Sequence, residues 1–167
     1  MSLLRFVEWL GNTSLSIELH ESRYVFLLVL MIHVLTISVF VGTAAMIDLR
    51  LLGKTMTRVP VSQVVARLLP WSEAGFVVMV VTGALLFYAA PLGRYENIFF
   101  RMKMAALVIA ILNVWVFRRT VYRRVGEWDL DPVPPRRVRM MGALSLLLLA
   151  IIITFGRMMA YSDYWFG

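Results

Sequence analysis

The sequence predicts an all-α fold, a four-helix transmembrane bundle with a short N-terminal interfacial amphipathic helix. Hydrophobic residues make up 60% of the 167, and charged residues only 16%, against about a quarter charged in a soluble domain. The charges fall in blocks between long apolar runs. Four of those runs reach the roughly 20 residues that a helix needs to cross about 30 Å of hydrocarbon. These observations exclude a soluble globular domain, a disordered chain and a fibrous repeat. Cysteine is absent, which excludes disulfides, iron–sulfur clusters, thiolate zinc sites, c-type haem attachment and cysteine nucleophiles.

The chain opens with an amphipathic stretch. Leu3, Phe6, Val7 and Leu10 share one helical face and Arg5 and Glu8 lie elsewhere, up to a stop at Gly11 and Asn12. Such a segment lies in the headgroup region and shields the end of the bundle. It has no basic start, continuous apolar centre or small-residue cleavage site, so a removed signal peptide is not expected. The spans follow at about 24–49, 71–90, 98–117 and 140–161. Pro70 stands at the start of the second span and Pro91 just after its end, where proline is tolerated or stops a helix. Gly53, Pro60, Gly93, Pro132, Pro134 and Pro135 punctuate the connections. Residues 1–167 read as one integral membrane domain without internal repeats.

Charge sets the expected topology. The first connection carries Arg50, Lys54, Arg58 and Arg67. The third carries Arg118, Arg119, Arg123, Arg124, Arg136, Arg137 and Arg139. Together they hold eleven of the 17 cations. By the positive-inside rule both connections are expected in the cytoplasm and both termini on the outer side of the membrane. Trp71 and Trp128 are expected at the inner interface, and Trp9 and Trp165 at the outer one. The net charge of +7 is explained by topology. No stacking platform or groove-reading motif accompanies it, so nucleic acid is not an expected partner. Anionic lipid headgroups are.

Ionisable groups inside a span need a partner or a task. His33 lies about a third of the way into the first span among apolar neighbours, and His20 lies just before that span beside Glu18 and Glu21. One reading of His33 is a neutral imidazole bonded to a carbonyl or a Thr or Ser of a neighbouring helix. The other is an axial ligand to b-type haem, because imidazole commonly ligates haem and bundle cores hold cofactors between helices. Arg23, Arg101, Lys103 and Arg157 lie at the outer helix ends, where they would hold the propionates. Gly75, Gly83, Gly142 and Gly156 are among the small residues that would let helices or a flat macrocycle approach closely.

Thirteen residues separate the two histidines. On one straight helix that is about 20 Å of rise and roughly 140° of rotation. A single haem cannot be clasped by both. The helix is irregular between them, or His20 lies off it, or His33 alone faces the cofactor. A two-fold homodimer supplies the second ligand as the other copy's His33. Met79, Met104 and Met158 are alternative ligands, and the methionines also admit a copper site.

The other polar groups read as structural. Asp48 is expected to meet Arg136 or Arg137, and Glu73 to meet Arg67 or to act as a first-turn carboxylate. Asn113 is expected to bond between helices. No nucleophile triad, metalloprotease helix, phosphate loop or dinucleotide fingerprint is present.

The run His33-Val34-Leu35, Phe40-Val41-Gly42-Thr43 and Asp48-Leu49-Arg50-Leu51-Leu52-Gly53 resembles an uncharacterised family of small bacterial integral membrane proteins. Leu69-Pro70-Trp71, Thr82-Gly83, Phe99-Phe100-Arg101-Met102-Lys103, Asn113 and Gly156-Arg157-Met158-Met159-Ala160-Tyr161 fit the same pattern, which spans nearly the whole chain. The resemblance implies the four-helix architecture and no specific activity. It also implies histidine near the positions of Glu96 and Arg118, which this chain lacks. The likeness to four-helix cytochromes b is architectural only.

The expected function is b-type haem binding for electron transfer between a periplasmic partner and the quinone pool, in a homodimer sharing ligands. His33, and His20 with it, would ligate the iron. The alternatives are a non-haem scaffold or small-solute transport subunit with structural histidines, and third a copper-handling protein.

Overall fold

A computed structural model describes residues 3–162, all of its regular elements helical. In order they are α1 (Leu3–Gly11), α2 (Ser14–Glu21), α3 (Arg23–Leu51), α4 (Val61–Ala89), α5 (Pro91–Glu96), α6 (Ile98–Val116) and α7 (Arg136–Met158). A π turn (Phe117–Val121) and a 3-10 segment (Tyr122–Glu127) extend α6, and a 3-10 turn (Met159–Tyr161) ends α7. Four helices are long and apolar enough to cross a membrane: Arg23–Leu51, Val61–Ala89, Ile98–Glu127 and Arg136–Tyr161. Their flanks expose Leu27, Leu28, Met31, Leu35, Val77 and Leu112, as lipid-facing surfaces do. This is a helical membrane bundle.

Within it α3 packs along α4, α6 along α7, and α3 against α7. α4 and α6 meet through long side chains. The Phe87 and Phe100 rings stack at 5.4 Å near one end, and Arg118 pairs with Glu73 at 3.0 Å near the other. The α3–α7 contact depends on Gly142. A Cβ there would stand 3.1 Å from both the Asp48 carbonyl oxygen and the Leu51 Cβ, so any side chain would push the two helices apart. Gly142→Val is expected to cost about 1–3 kcal/mol by overpacking. Thermal unfolding in detergent should show a lower midpoint, and an unchanged one would contradict the close contact.

The first and last spans start and end close to the positions the sequence predicts. The second differs. It begins at Val61 rather than at residue 71, so Pro70 lies inside α4. Val61, Val64 and Val65 fall at helical spacing and are buried. Val61 and Val65 join Leu51, Trp128 and Val138 in a core at the basic end. This docking outweighs the hydrogen bond and the clash that proline costs. Trp128 is therefore a core residue, 5% exposed, rather than an interfacial anchor. Trp71 and Trp9 are exposed, and Trp165 lies outside the described residues.

Arg50 is fully buried beside that core. Its Nε donates to the Val59 carbonyl at 2.9 Å, and one terminal nitrogen to the carbonyls of Asp131 (3.2 Å) and Asp129 (3.5 Å). The Asp129 carboxylate in turn accepts from the Ser62 backbone N–H at 2.7 Å and the Ser62 hydroxyl at 2.6 Å, capping α4 from the other loop. One cation thus ties both basic connections together.

Two sequence expectations are corrected here. Asp48 is buried and faces Ser145 on α7, while Arg136 and Arg137 are exposed. α7 begins at Arg136, so those two cations stand at its start. Glu73 pairs with Arg118 and not with Arg67, and twelve residues into α4 it is no first-turn carboxylate. Asn113 does bond between helices, donating to the Met141 carbonyl at 3.1 Å.

At the opposite end α1 lies against α5, and α2 against α4. Thr13 and Tyr88 hydroxyls meet at 2.6 Å, and Ser16 donates to the Tyr88 carbonyl at 2.7 Å. The predicted N-terminal helix is present as α1, with Val7 buried and Leu3 and Phe6 exposed.

Candidate functional site

The chain breaks at Ser22, whose extended backbone separates α2 from α3 and whose hydroxyl accepts from the Val25 N–H. His20 therefore lies off the long helix, on α2. It is exposed and lines an open groove with Glu8, Ser16, Ala89 and Pro91. His33 lies on α3 against Thr82 of α4. Seven residues of α4 separate Thr82 from Ala89, about 10 Å along the axis. The two histidines are not brought together.

His33 is 9% exposed. Gly83 makes its seat, because a Cβ there would stand 3.3 Å from the imidazole Cε1. The ring therefore lies directly on the α4 backbone. Its Nδ1 is 2.8 Å from the Thr82 hydroxyl oxygen. That hydroxyl donates its one hydrogen to the Val78 carbonyl at 2.7 Å, so its oxygen accepts from Nδ1–H. The assignment leaves Nε2 with its lone pair. The ring also makes a hydrogen bond to the Met79 backbone, and Nε2 is not one of the fully buried atoms left without a partner. An imidazole fixed through one nitrogen is the arrangement of a metal-ligating histidine. It equally satisfies a structural histidine bonded to a threonine of the next helix.

Of the four cations expected around the site, Lys103 is brought to it. Its stem and amine run along α7 at Gly156, with Nζ 3.7 Å from where a Cβ would stand. Its charge acts on His33. Arg157 is exposed and turned to Tyr161, donating to the phenol oxygen at 2.8 Å and lying 5.0 Å over the ring. Arg23 and Arg101 are exposed.

Arg94 takes a place the sequence did not give it. α5 carries it inward, where it donates to the Leu86 carbonyl, and its charge acts on both Lys103 and His33. Burial holds this guanidinium below its ordinary pKa. Among the described residues neither Arg94 nor Lys103 has a carboxylate partner. The result is a buried imidazole beside two uncompensated cations, in the half of the bundle away from the basic loops. Such a site suits a group that accepts an imidazole lone pair at one point and carries negative charge at another. Among the described residues no three of His, Asp and Glu gather as a metal site, and His20 stands away from His33, on α2.

Fold and site define a four-span helical membrane protein with a single oriented intramembrane histidine. The chain belongs to the family of unknown function DUF6644, which it matches over residues 6–162. Comparison with curated proteins and with solved structures gave no match.

Proposed function

We propose that this protein binds b-type haem on His33 and carries electrons, as a two-fold homodimer in a bacterial inner membrane with both termini periplasmic. The observation that carries the reading is a buried imidazole, held through Nδ1 by Thr82, that feels the charges of Lys103 and Arg94, two cations with no carboxylate partner among the described residues. The residues fit the group in three respects. His33 would offer one nitrogen to the iron and the equivalent residue of the partner copy another, and Lys103 and Arg94 would offer charges to the propionates. Bound haem supplies one-electron chemistry. Thr82 fixes the imidazole's tautomer and ring plane. Gly83 sets its depth against α4, and the apolar flanks of α3 and α4 keep water from the ligand. His20, on the surface groove, plays no part in this site. The partners implied are a periplasmic electron carrier and the quinone pool.

The test is the absorption spectrum of protein purified in detergent from haem-sufficient cells, oxidised and then reduced with dithionite. A Soret band with sharp α and β bands on reduction supports the reading. A colourless protein favours the second reading, a scaffold or transport subunit whose His33 is structural. The Thr82 hydrogen bond favours that alternative as much as it favours ligation, which is why the spectrum decides. Thr82→Val is expected to leave the fold intact and weaken haem affinity about 10- to 100-fold, as loss of a ligand's supporting hydrogen bond does. Haem titration of the apoprotein measures it, and wild-type affinity would remove Thr82 from the site.

A further inference from the structure

The π turn that continues α6 is placed and charged for a purpose the bundle does not need. Thr120 donates its hydroxyl to the Val116 carbonyl at 2.7 Å, competing for the acceptor that regular helix would give to its own N–H. The helix widens, and the Tyr122 N–H reaches back to Phe117. Π turns of this kind concentrate at functional sites. Arg119, in this turn, lies over the ring of Trp115, 5.6 Å from its centroid.

Trp115, Arg118, Arg119 and Arg123 line an open recess of about 460 Å³. Arg118 is held by Glu73. Among the described residues Arg119 and Arg123 have no carboxylate partner. The recess also stands at a particular depth. Trp115 lies seventeen residues from the start of α6, about 26 Å along the helix, near the far boundary of a hydrocarbon core roughly 30 Å thick. Trp115 is 56% exposed, and the arginines above it fall in the headgroup layer. A tryptophan at the boundary under a pair of unpaired guanidiniums matches a lipid whose acyl chain passes the indole and whose phosphodiester meets the arginines.

We propose that this recess binds the phosphodiester headgroup of an anionic phospholipid in the leaflet at the basic end. Charge complementarity selects the headgroup, and the exposed indole selects a lipid over a soluble anion. The site is independent of haem.

Native mass spectrometry of the full-length protein, offered equal phosphatidylglycerol and phosphatidylcholine in detergent, tests it. Wild type should retain phosphatidylglycerol in preference. The double variant Arg119→Gln, Arg123→Gln should lower that retention roughly tenfold or more. The control variant Arg136→Gln, Arg137→Gln, which removes the same charge elsewhere at the basic end, should keep it. Equal retention of the two lipids by wild type overturns the proposal, and that arm stands even if the double variant fails to fold. Equal loss in both variants overturns it in favour of diffuse attraction. Displacement of the lipid by millimolar inorganic phosphate, with phosphate adducts in its place, overturns it in favour of a soluble-anion site.

Discussion

Protein carrying His33→Ala is expected to purify without haem, losing the Soret band altogether while remaining folded. The expectation follows from the donor set. His20 lies on another helix about 10 Å further along α4, and no third imidazole exists in the chain. Removing the ring leaves Thr82 satisfied through Val78, so no orphan hydroxyl is created and helix content should be unchanged. The effect is therefore expected on cofactor and not on fold. His20→Ala in parallel should keep wild-type haem content. Full haem content in His33→Ala would put the ligand elsewhere, and an unfolded variant would make His33 chiefly a packing residue.

The second large effect is expected at Arg50. Arg50→Ala strands the carbonyls of Val59 and Asp131, which the side chain now satisfies from a fully buried position, while the Asp129 carbonyl keeps the Val61 N–H at 3.1 Å. Each buried carbonyl left unpaired costs about 1–3 kcal/mol. Relaxation and water entry will recover part of that, which leaves a loss of about 3 kcal/mol and roughly 10 °C in midpoint for a chain of this size. Thermal unfolding in detergent measures it. Limited proteolysis should show new cleavage in the connection between α3 and α4, because the clamp holds that loop against the one between α6 and α7. Arg50→Lys, with one point donor in place of the fork, should lie between the two. A midpoint unchanged in Arg50→Ala would mean that the apolar core around Trp128 holds the basic end without it.

The contrast between these two residues shows what the sequence makes legible. The spans are readable because length and hydropathy act over some twenty residues at once, and each was located from apolar runs alone. The α4 extension is harder. Pro70 reads as a helix start, and the signal that overrides it is short: Val61, Val64 and Val65 at helical spacing, which pattern reading could have caught. Arg50 left no trace. A cation next to a span reads as topology, and its acceptors are backbone carbonyls in two loops, a kind of partner that carries no residue signature. Arg94 was hidden for a similar reason, since a short α5 decides whether it faces water or the bundle.

His33 and Thr82 were each recognisable as polar groups inside spans. Their pairing was not, because it depends on the register between α3 and α4, which Gly83 and the packing of whole helices set. The awkward spacing of His20 and His33 was legible, and the structure resolves it through the break at Ser22. Asp48 shows the reverse error. Cations of the third connection, Arg136 and Arg137, looked like natural partners, yet the side chain turns inward to Ser145.

The central claim is that two copies of this chain hold one haem between their His33 side chains. The mass of the intact detergent complex, taken under native conditions on protein from haem-sufficient cells, tests it most directly. The account predicts a dimer carrying one protohaem, lost together with the cofactor mass in His33→Ala. Chains that carry no tetrapyrrole in any oligomeric state would contradict it.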